Sequence, residues 1–223
     1  MDTPVSYNNI QYLDKKKFVH IWGSKLPHWL QENKCVFITF RLADSLPQSK
    51  INELLDMKNK MLNNGTDDDT TRQHYNAEIV MKMEQWIDAG HGSCLLNRPE
   101  IRNIVADSIH FYDGKDYVLH SFVIMPNHVH ILLSPLGNIN VLDNIGKIKR
   151  FTSTQINKTI NREGKIWQKG VFDRIVRDSL EFERYWNYIV ENPKYLPPNS
   201  YTLYIHKYCL LYTSPSPRDQ RGS

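Results

Sequence analysis

Two histidines one residue apart are the residues whose types and spacing suggest chemistry most directly in this sequence. His128 and His130 lie in the apolar segment 122–133. Side chains of a β-strand alternate between its two faces, so both imidazoles share one face while Val129 and Ile131 point to the other. Neutral imidazole is a common metal ligand, but a divalent metal takes about four to six ligands in all. The spacing leaves two interpretations open: a metal site with further ligands from elsewhere, or a hydrogen-bonded histidine pair.

A second group of polar side chains lies on a helix predicted for residues 179–192, which Pro193 ends. Tyr188 and Asn192 are four residues apart and so are neighbours on one face of this helix, with Tyr185 beside them. The helix therefore presents a phenol and an amide together. An adjacent apolar arc can anchor it to the core and consists of Phe182, Trp186 and Ile189.

The remaining elements predict the scaffold that positions these groups. Strands are predicted for residues 36–42, 117–124, 129–134 and 172–176. Further helices are predicted for residues 49–62, 74–88 and 141–160, and for a segment that starts at Pro99 and ends before Asp113. The short connection 125–127 implies a hairpin. The order of elements predicts an α+β sandwich of the ferredoxin-like or RRM-like kind, with a mostly antiparallel sheet and the histidine pair on a central strand.

The composition is that of an ordinary globular protein and limits the possible functions. The 223 residues, 40% of them hydrophobic, are enough for one domain with a sizeable core. No segment approaches the roughly 18 uncharged apolar residues of a membrane span, and the N-terminus has no signal-peptide pattern. The three cysteines show no spacing typical of zinc or redox sites. We therefore expect a cytoplasmic protein that has neither a membrane partner nor a disulfide framework.

One central domain with shorter flanking segments is predicted. Residues 31–196 are expected to form the domain, residues 1–30 an N-terminal extension and residues 197–208 a C-terminal extension. Residues 209–223 resemble one reading frame of a sequencing-library adapter. We expect them to be a non-native tail that stands in place of the natural C-terminus.

Charge is distributed unevenly along the chain, although the formal net charge is only +4. Residues 147–177 contain nine Lys or Arg against two acidic residues. Such a segment is either a solvated face or a surface for a polyanion. Lys149 lies near the apolar stripe of the helix 141–160, so its ammonium either extends along the edge of the core or aims at a bound phosphate.

Four motifs, taken together in their order along the chain, resemble one family. They are Met125-Pro-Asn-His-Val-His130, Lys149-Arg-Phe-Thr152, Trp167-Gln followed by Phe172-Asp-Arg-Ile-Val-Arg177, and Tyr188-Ile-Val-Glu-Asn-Pro193. Their order and spacing resemble the REP-associated tyrosine transposases of the single-tyrosine HUH superfamily, whose members process single-stranded DNA. The resemblance covers about residues 26–196.

The resemblance implies a role for each matching residue. His128 and His130 match the two metal-binding histidines of the HUH motif. Asn192 matches the polar side chain that completes the metal site, with Mg²⁺ or Mn²⁺ as the ion, and Tyr188 matches the nucleophile. Independently of the resemblance, the basic charge of this half of the chain predicts contacts with DNA phosphates from Lys147, Lys149, Arg150, Lys158, Arg174 and Arg177.

The implied activity is that of a single-stranded DNA endonuclease and strand-transferase. Such an enzyme forms a 5′-phosphotyrosine intermediate at sites that flank a DNA hairpin, as in REP elements. The resemblance further implies a monomer or homodimer that works in the bacterial cytoplasm and associates with the nucleoid through single-stranded or hairpin DNA.

Two other functions are compatible with the same residues. One is a metal-dependent phosphodiesterase that uses water, and the other is a non-catalytic RRM-like module that binds nucleic acid. The strand 36–42 lacks the aromatic stacking pattern typical of that module. On helix geometry alone Tyr185 competes with Tyr188 as nucleophile, and the residues do not identify the base that would activate the phenol.

Overall fold

A five-stranded antiparallel sheet forms the centre of the molecule. The computed structural model describes residues 10–14, 16–17, 20–22, 28–63 and 82–207. The strands are β1 (His20–Trp22), β2 (His28–Leu30), β3 (Val36–Arg41), β4 (Tyr117–Ile124), β5 (His128–Pro135), β6 (Phe172–Ile175) and β7 (Thr202–Ile205). The helices are α1 (Gln48–Asn63), α2 (residues 82–88), α3 (Pro99–His110), α4 (Val141–Thr159) and α5 (Ser179–Glu191). Short 3₁₀ helices lie at Leu95–Asn97 and Asn192–Tyr195.

The order of the strands confirms the predicted fold class. In the central sheet the order is β6-β3-β5-β4-β7, and every neighbouring pair is antiparallel. The first four of these strands, with α3 and α4 as crossover helices, give the β-α-β-β-α-β connectivity of a ferredoxin-like sandwich. Strand β5 occupies the middle of the sheet, so the two histidines lie on a central strand as predicted.

One face of the sheet packs against α3 and α4. Val129 and Ile131 of β5 lie in this core cluster together with Ile101 of α3 and Ile145 of α4. On β4 the pairing with β5 shifts between Leu119 and Ser121. This β-bulge adds one residue to β4 and so reverses the alternation of its side chains. Odd-numbered residues before the bulge and even-numbered residues after it therefore point into the same core. They are Tyr117, Leu119, Phe122 and Ile124.

The opposite face of the sheet packs against α5. The helix begins after Asp178, whose side chain accepts a hydrogen bond from the Glu181 amide at 2.8 Å. Its apolar arc meets Phe37, Val123 and Leu132 of the sheet, and the residues of that arc are Phe182, Trp186 and Ile189, as predicted. Since His128 and His130 have the same parity as Leu132, they also face α5.

Some elements were not predicted from the sequence. Strands β1 and β2 pair as a small hairpin, and β7 adds an edge strand to β4. Buried Arg102 on α3 ties the segment before β7 to the domain, because its guanidinium donates to the Asn199 carbonyl and to Thr202 Oγ1. Only 82–88 of the helix predicted at 74–88 lie within the described residues, and residues 209–223 lie outside them. The domain boundaries stay a prediction.

None of the helices in the described ranges is long and apolar enough to cross a membrane.

Candidate active site

The histidine pair is buried, and a hydrogen bond at the Nδ1 atom orients each ring. His128 and His130 are 0% and 1% exposed, and their rings meet edge to face at 4.5 Å. His130 Nδ1 lies 2.7 Å from the hydroxyl of Thr39, its neighbour across β3 and β5. His128 Nδ1 lies 2.7 Å from Asn127 Oδ1. Both rings therefore turn Nε2 toward the space between the sheet and α5.

The hydrogen bonds of Asn127 determine which tautomer the neutral ring of His128 adopts. The Asn127 amide nitrogen donates to the backbone carbonyls of Ile87 and His91, both at 3.0 Å. Only its oxygen is then left for His128, so the histidine must donate from Nδ1. In its neutral form the ring then carries a lone pair on Nε2, and this is the form that binds a metal.

Asp88, at the end of α2, is the third charged or metal-binding side chain of the site. Its Oδ1 atom lies 3.3 Å from His128 Nε2. Ligand atoms of Asp88, His128 and His130 all lie within 4.8 Å of one another. Asp88 was not predicted from the sequence, because the acidic segment that contains it has no spacing that relates it to the histidines.

This donor set fits a divalent cation. His128 Nε2 is buried and makes no hydrogen bond, although the Asp88 carboxylate is close. A lone pair that faces a carboxylate oxygen is an unfavourable arrangement, because both atoms are acceptors, and a cation between them would satisfy both. Two imidazole nitrogens and a carboxylate oxygen can coordinate several divalent metals, and the set of ligands alone does not select one of them.

Tyr188 projects from α5 into the same space. Its hydroxyl donates a hydrogen bond to Asp88 Oδ2 at 3.3 Å and lies 3.5 Å from His130 Nε2. The ring packs edge to face on His130 at a centroid distance of 5.0 Å. The predicted nucleophile and the predicted metal-binding histidines are thus neighbours.

The other two polar side chains of α5 have different surroundings. Tyr185 stacks on Phe37 at a centroid distance of 4.3 Å, and burial raises its pKa to about 12. Asn192, predicted to be a metal ligand, ends the helix and places its side chain in hydrogen-bonding contact with the phenol of Tyr188. The geometry thus distinguishes the two tyrosines, because the hydroxyl of Tyr188 reaches Asp88 and His130.

Burial and negative charge dominate the electrostatics around the phenol. The pKa of Tyr188 is raised by burial first and then by the charges of Asp88 and Glu84. Burial and the nearby Asp88 also raise the pKa of Glu84 to about 7. The pKa of His130 is lowered by burial and by His128. Each of these shifts favours the neutral form of its group. A cation bound in the site would offset the negative charge of the carboxylates.

The residues predicted to contact DNA fall into three groups. Lys149 and Arg150 line a groove beside α4. Lys147 and Lys158 lie exposed on the same helix but do not line the groove. The last group forms ion pairs with Glu181 at 3.5 and 3.9 Å and consists of Arg174 and Arg177.

Comparison with known proteins agrees with the resemblance predicted from the motifs. Residues 97–192 match the family described as IS200-like transposase, a segment that contains the histidine pair, Tyr188 and Asn192. A solved structure described as a REP-associated tyrosine transposase bound to a REP hairpin is similar over 77% of this chain and 73% of that one. Its sequence identity is 13% and its TM-score is 0.40. No curated protein matches the chain.

Proposed function

We propose that this chain, whose residues 97–192 match the family of IS200-like transposases, cleaves and rejoins single-stranded DNA through a covalent bond to Tyr188. One observation carries the proposal: the Tyr188 hydroxyl lies 3.3 Å from Asp88 Oδ2 and 3.5 Å from His130 Nε2. A phenol in that position can act as a nucleophile. His130 beside it can bind a metal, and Asp88 can accept its proton.

In the proposed reaction the Tyr188 oxygen attacks the phosphorus of a phosphodiester. The new bond joins the phenolic oxygen to phosphorus, and the bond from phosphorus to the 3′-oxygen breaks. The phenolic proton passes to Asp88, and the departing oxygen takes up a proton from solvent water to become a free 3′-hydroxyl. A 5′-phosphotyrosine keeps the energy of the phosphodiester, so a later 3′-hydroxyl can rejoin the strand without a nucleotide cofactor.

His128, His130 and Asp88 would hold a divalent cation in this proposal, with the Asn192 amide oxygen as a further ligand. When bound, Mg²⁺ or Mn²⁺ supplies positive charge that polarises the phosphate and neutralises the developing negative charge. Asn127 keeps His128 in the tautomer that leaves Nε2 available. Since Tyr188 lies against the histidines of its own chain, we propose that it acts in cis, in a monomer or in each half of a homodimer.

The motif resemblance supports the substrate part of the proposal. We propose that the DNA carries a hairpin, as REP elements do, and that Tyr188 cuts in its single-stranded flank. A cytoplasmic location belongs to the same proposal.

A covalent adduct is the direct test of this function. The full chain is incubated with Mn²⁺ and a 5′- or 3′-labelled hairpin DNA with single-stranded flanks, and denaturing gel electrophoresis then separates protein-bound label. We expect an adduct with the 3′-labelled strand in the wild type and in Tyr185→Phe, and none in Tyr188→Phe. Tyr185→Phe is the matched control, because it removes the neighbouring hydroxyl on the same helix.

Each alternative function predicts a different pattern in this experiment. Cleavage without an adduct that persists in Tyr188→Phe would show a phosphodiesterase that uses water. Binding without cleavage in the presence of any divalent metal would show a binding module. An adduct lost in Tyr185→Phe but kept in Tyr188→Phe would move the nucleophile to the other tyrosine.

A further inference from the structure

A basic groove lies between α4 and the segment 167–171. Its volume is about 650 Å³. Cationic side chains of α4 form one wall and a further lysine of the segment forms the other; these cations are Lys149, Arg150 and Lys169. Among the described residues that line the groove, none is acidic. A concave surface with cations and no carboxylate attracts an anion.

Two backbone carbonyls of the segment 167–171 hold the ammonium of Lys149 in this groove. Its ammonium donates to the Gln168 carbonyl at 2.8 Å and to the Gly170 carbonyl. An ammonium has three N–H donors, so these two bonds leave one for a ligand. Burial lowers the pKa of Lys149 to about 8, and the positive charges of Lys165 and Arg41 contribute. An anion bound in the groove would relieve this repulsion.

The groove lies at the end of the sheet that carries the candidate active site. The backbone N–H of Gln168 donates to the Arg41 carbonyl at 2.9 Å, and Arg41 is paired with His128 across β3 and β5. Paired residues of neighbouring strands lie only about 5 Å apart. The groove and the histidine pair therefore lie at the same end of the sheet, on the sides of α4 and α5 respectively.

We propose that this groove binds backbone phosphates of the single-stranded DNA that flanks the phosphate attacked by Tyr188. This inference rests on the proposed function and specifies the path of its substrate. It assigns the phosphate contacts to the cations of the groove beside α4. The arginines near α5 are less available for phosphate, because Arg174 and Arg177 already form ion pairs with Glu181. The ligand chemistry is that of a phosphodiester, which a cationic groove binds irrespective of base sequence.

Binding without cleavage tests the groove. Fluorescence anisotropy is measured with the full chain, EDTA and a labelled single-stranded oligonucleotide at several salt concentrations. The double variant Arg150→Gln/Lys169→Gln removes two exposed cations of the groove. The double variant Arg162→Gln/Arg184→Gln removes two exposed cations outside it and is the matched control.

The groove variant is expected to bind about tenfold more weakly than the wild type. The slope of log affinity against log salt should fall by about 1.4, since each lost phosphate contact on a single strand contributes about 0.7. The control should change affinity less than twofold. Equal losses in both variants, or no loss in the groove variant, would overturn the proposal. Inorganic phosphate is also added as a competitor of the bound DNA. The proposal would be overturned as well if phosphate displaced DNA from the wild type but not from the groove variant while both proteins bound DNA equally tightly.

The outcomes separate this inference from the proposed function. If the wild type forms the Tyr188 adduct while the groove variant binds DNA normally, the groove proposal fails and the function stands. If the groove variant loses DNA binding while the wild type forms no adduct, the groove stands and the proposed chemistry fails.

Discussion

The side chain of Asn127 makes three hydrogen bonds that reach two different parts of the candidate site. It accepts from His128 Nδ1 and donates to the carbonyls of Ile87 and His91, on either side of Asp88. Asn127 is only 1% exposed, so water cannot replace these bonds. The amide therefore orients one proposed metal ligand and holds the chain segment that carries another.

Replacing Asn127 is expected to weaken metal binding without removing a ligand. Asn127→Ala should lower the Mn²⁺ affinity, measured by calorimetry or electron paramagnetic resonance, by about 10- to 100-fold, as loss of a residue that orients a ligand typically does. Asn127→Asp keeps an acceptor for His128 but loses both donors, so it should also lose affinity if anchoring of Asp88 matters.

A matched control keeps this prediction specific. Asn144 is a buried amide on α4 that donates to Asp116 at 2.8 Å. Asn144→Ala should lower stability but leave the Mn²⁺ affinity unchanged. Wild-type affinity in Asn127→Asp would instead mean that Asn127 acts through the His128 tautomer alone.

At the scale of elements, the loop after α2 determines where Asp88 lies. The Ser93 amide donates to Asp44 Oδ2 at 2.8 Å, which ties this loop to the end of β3. Gly92 has φ +90°, and a Cβ atom there would lie 2.4 Å from the Asp44 carbonyl oxygen. Only glycine permits this close backbone approach. Gly90 also has a positive φ, +72°, but a Cβ atom there meets open space.

The two glycines give a matched pair of variants. Gly90→Ala should cost about 1 kcal/mol in the free energy of unfolding, the strain of a left-handed alanine alone. Gly92→Ala adds a backbone clash, so it should cost at least about 2 kcal/mol more and also reduce Mn²⁺ affinity by displacing Asp88. Urea unfolding and metal titration provide the two measurements. Equal effects of both variants would show that the loop adapts without moving Asp88.

For the molecule as a whole, local patterns predicted most of the scaffold and the strand that carries the two histidines. Apolar periodicity located β4, β5, α4 and α5 to within one or two residues, because each buries a face of regular period. Strand parity placed both histidines on one face for the same reason. These features depend on the residues of one element only.

Features that depend on contacts between distant segments were not predictable. The position of Asp88 is set by Asn127 and by the approach of Gly92 to Asp44, neither of which has a sequence period. Strand β7 has four residues of intermediate burial, and pairing with β4 rather than its own pattern makes it a strand. The bulge in β4 likewise leaves no trace in the sequence, yet it reverses which residues enter each core.

That bulge gives the molecule a pH-dependent stability that involves both layers. It places His120 at 2% exposure, 2.8 Å from Ser134 Oγ and edge to face with Phe182 of α5. Burial, with a contribution from His206, lowers the pKa of His120 to about 3 from 6.5. Below pH 6.5 the unfolded chain therefore takes up a proton at this residue that the folded protein refuses.

The free energy of unfolding should consequently fall as the pH decreases from about 6.5 to about 3. The contribution of His120 to this loss is at most about 1.4 kcal/mol per pH unit. In His120→Gln, whose amide can still bond Ser134, the free energy should depend less on pH across that window and match the wild type's dependence above pH 7. Urea unfolding in EDTA gives the free energy of unfolding of both proteins at half-unit pH steps. The difference between the two free energies removes the contributions of the other titrating groups, which both proteins share. If both proteins lose stability equally between pH 6.5 and 4, the buried imidazole must take up its proton without unfolding, and the bulge must open locally to admit water.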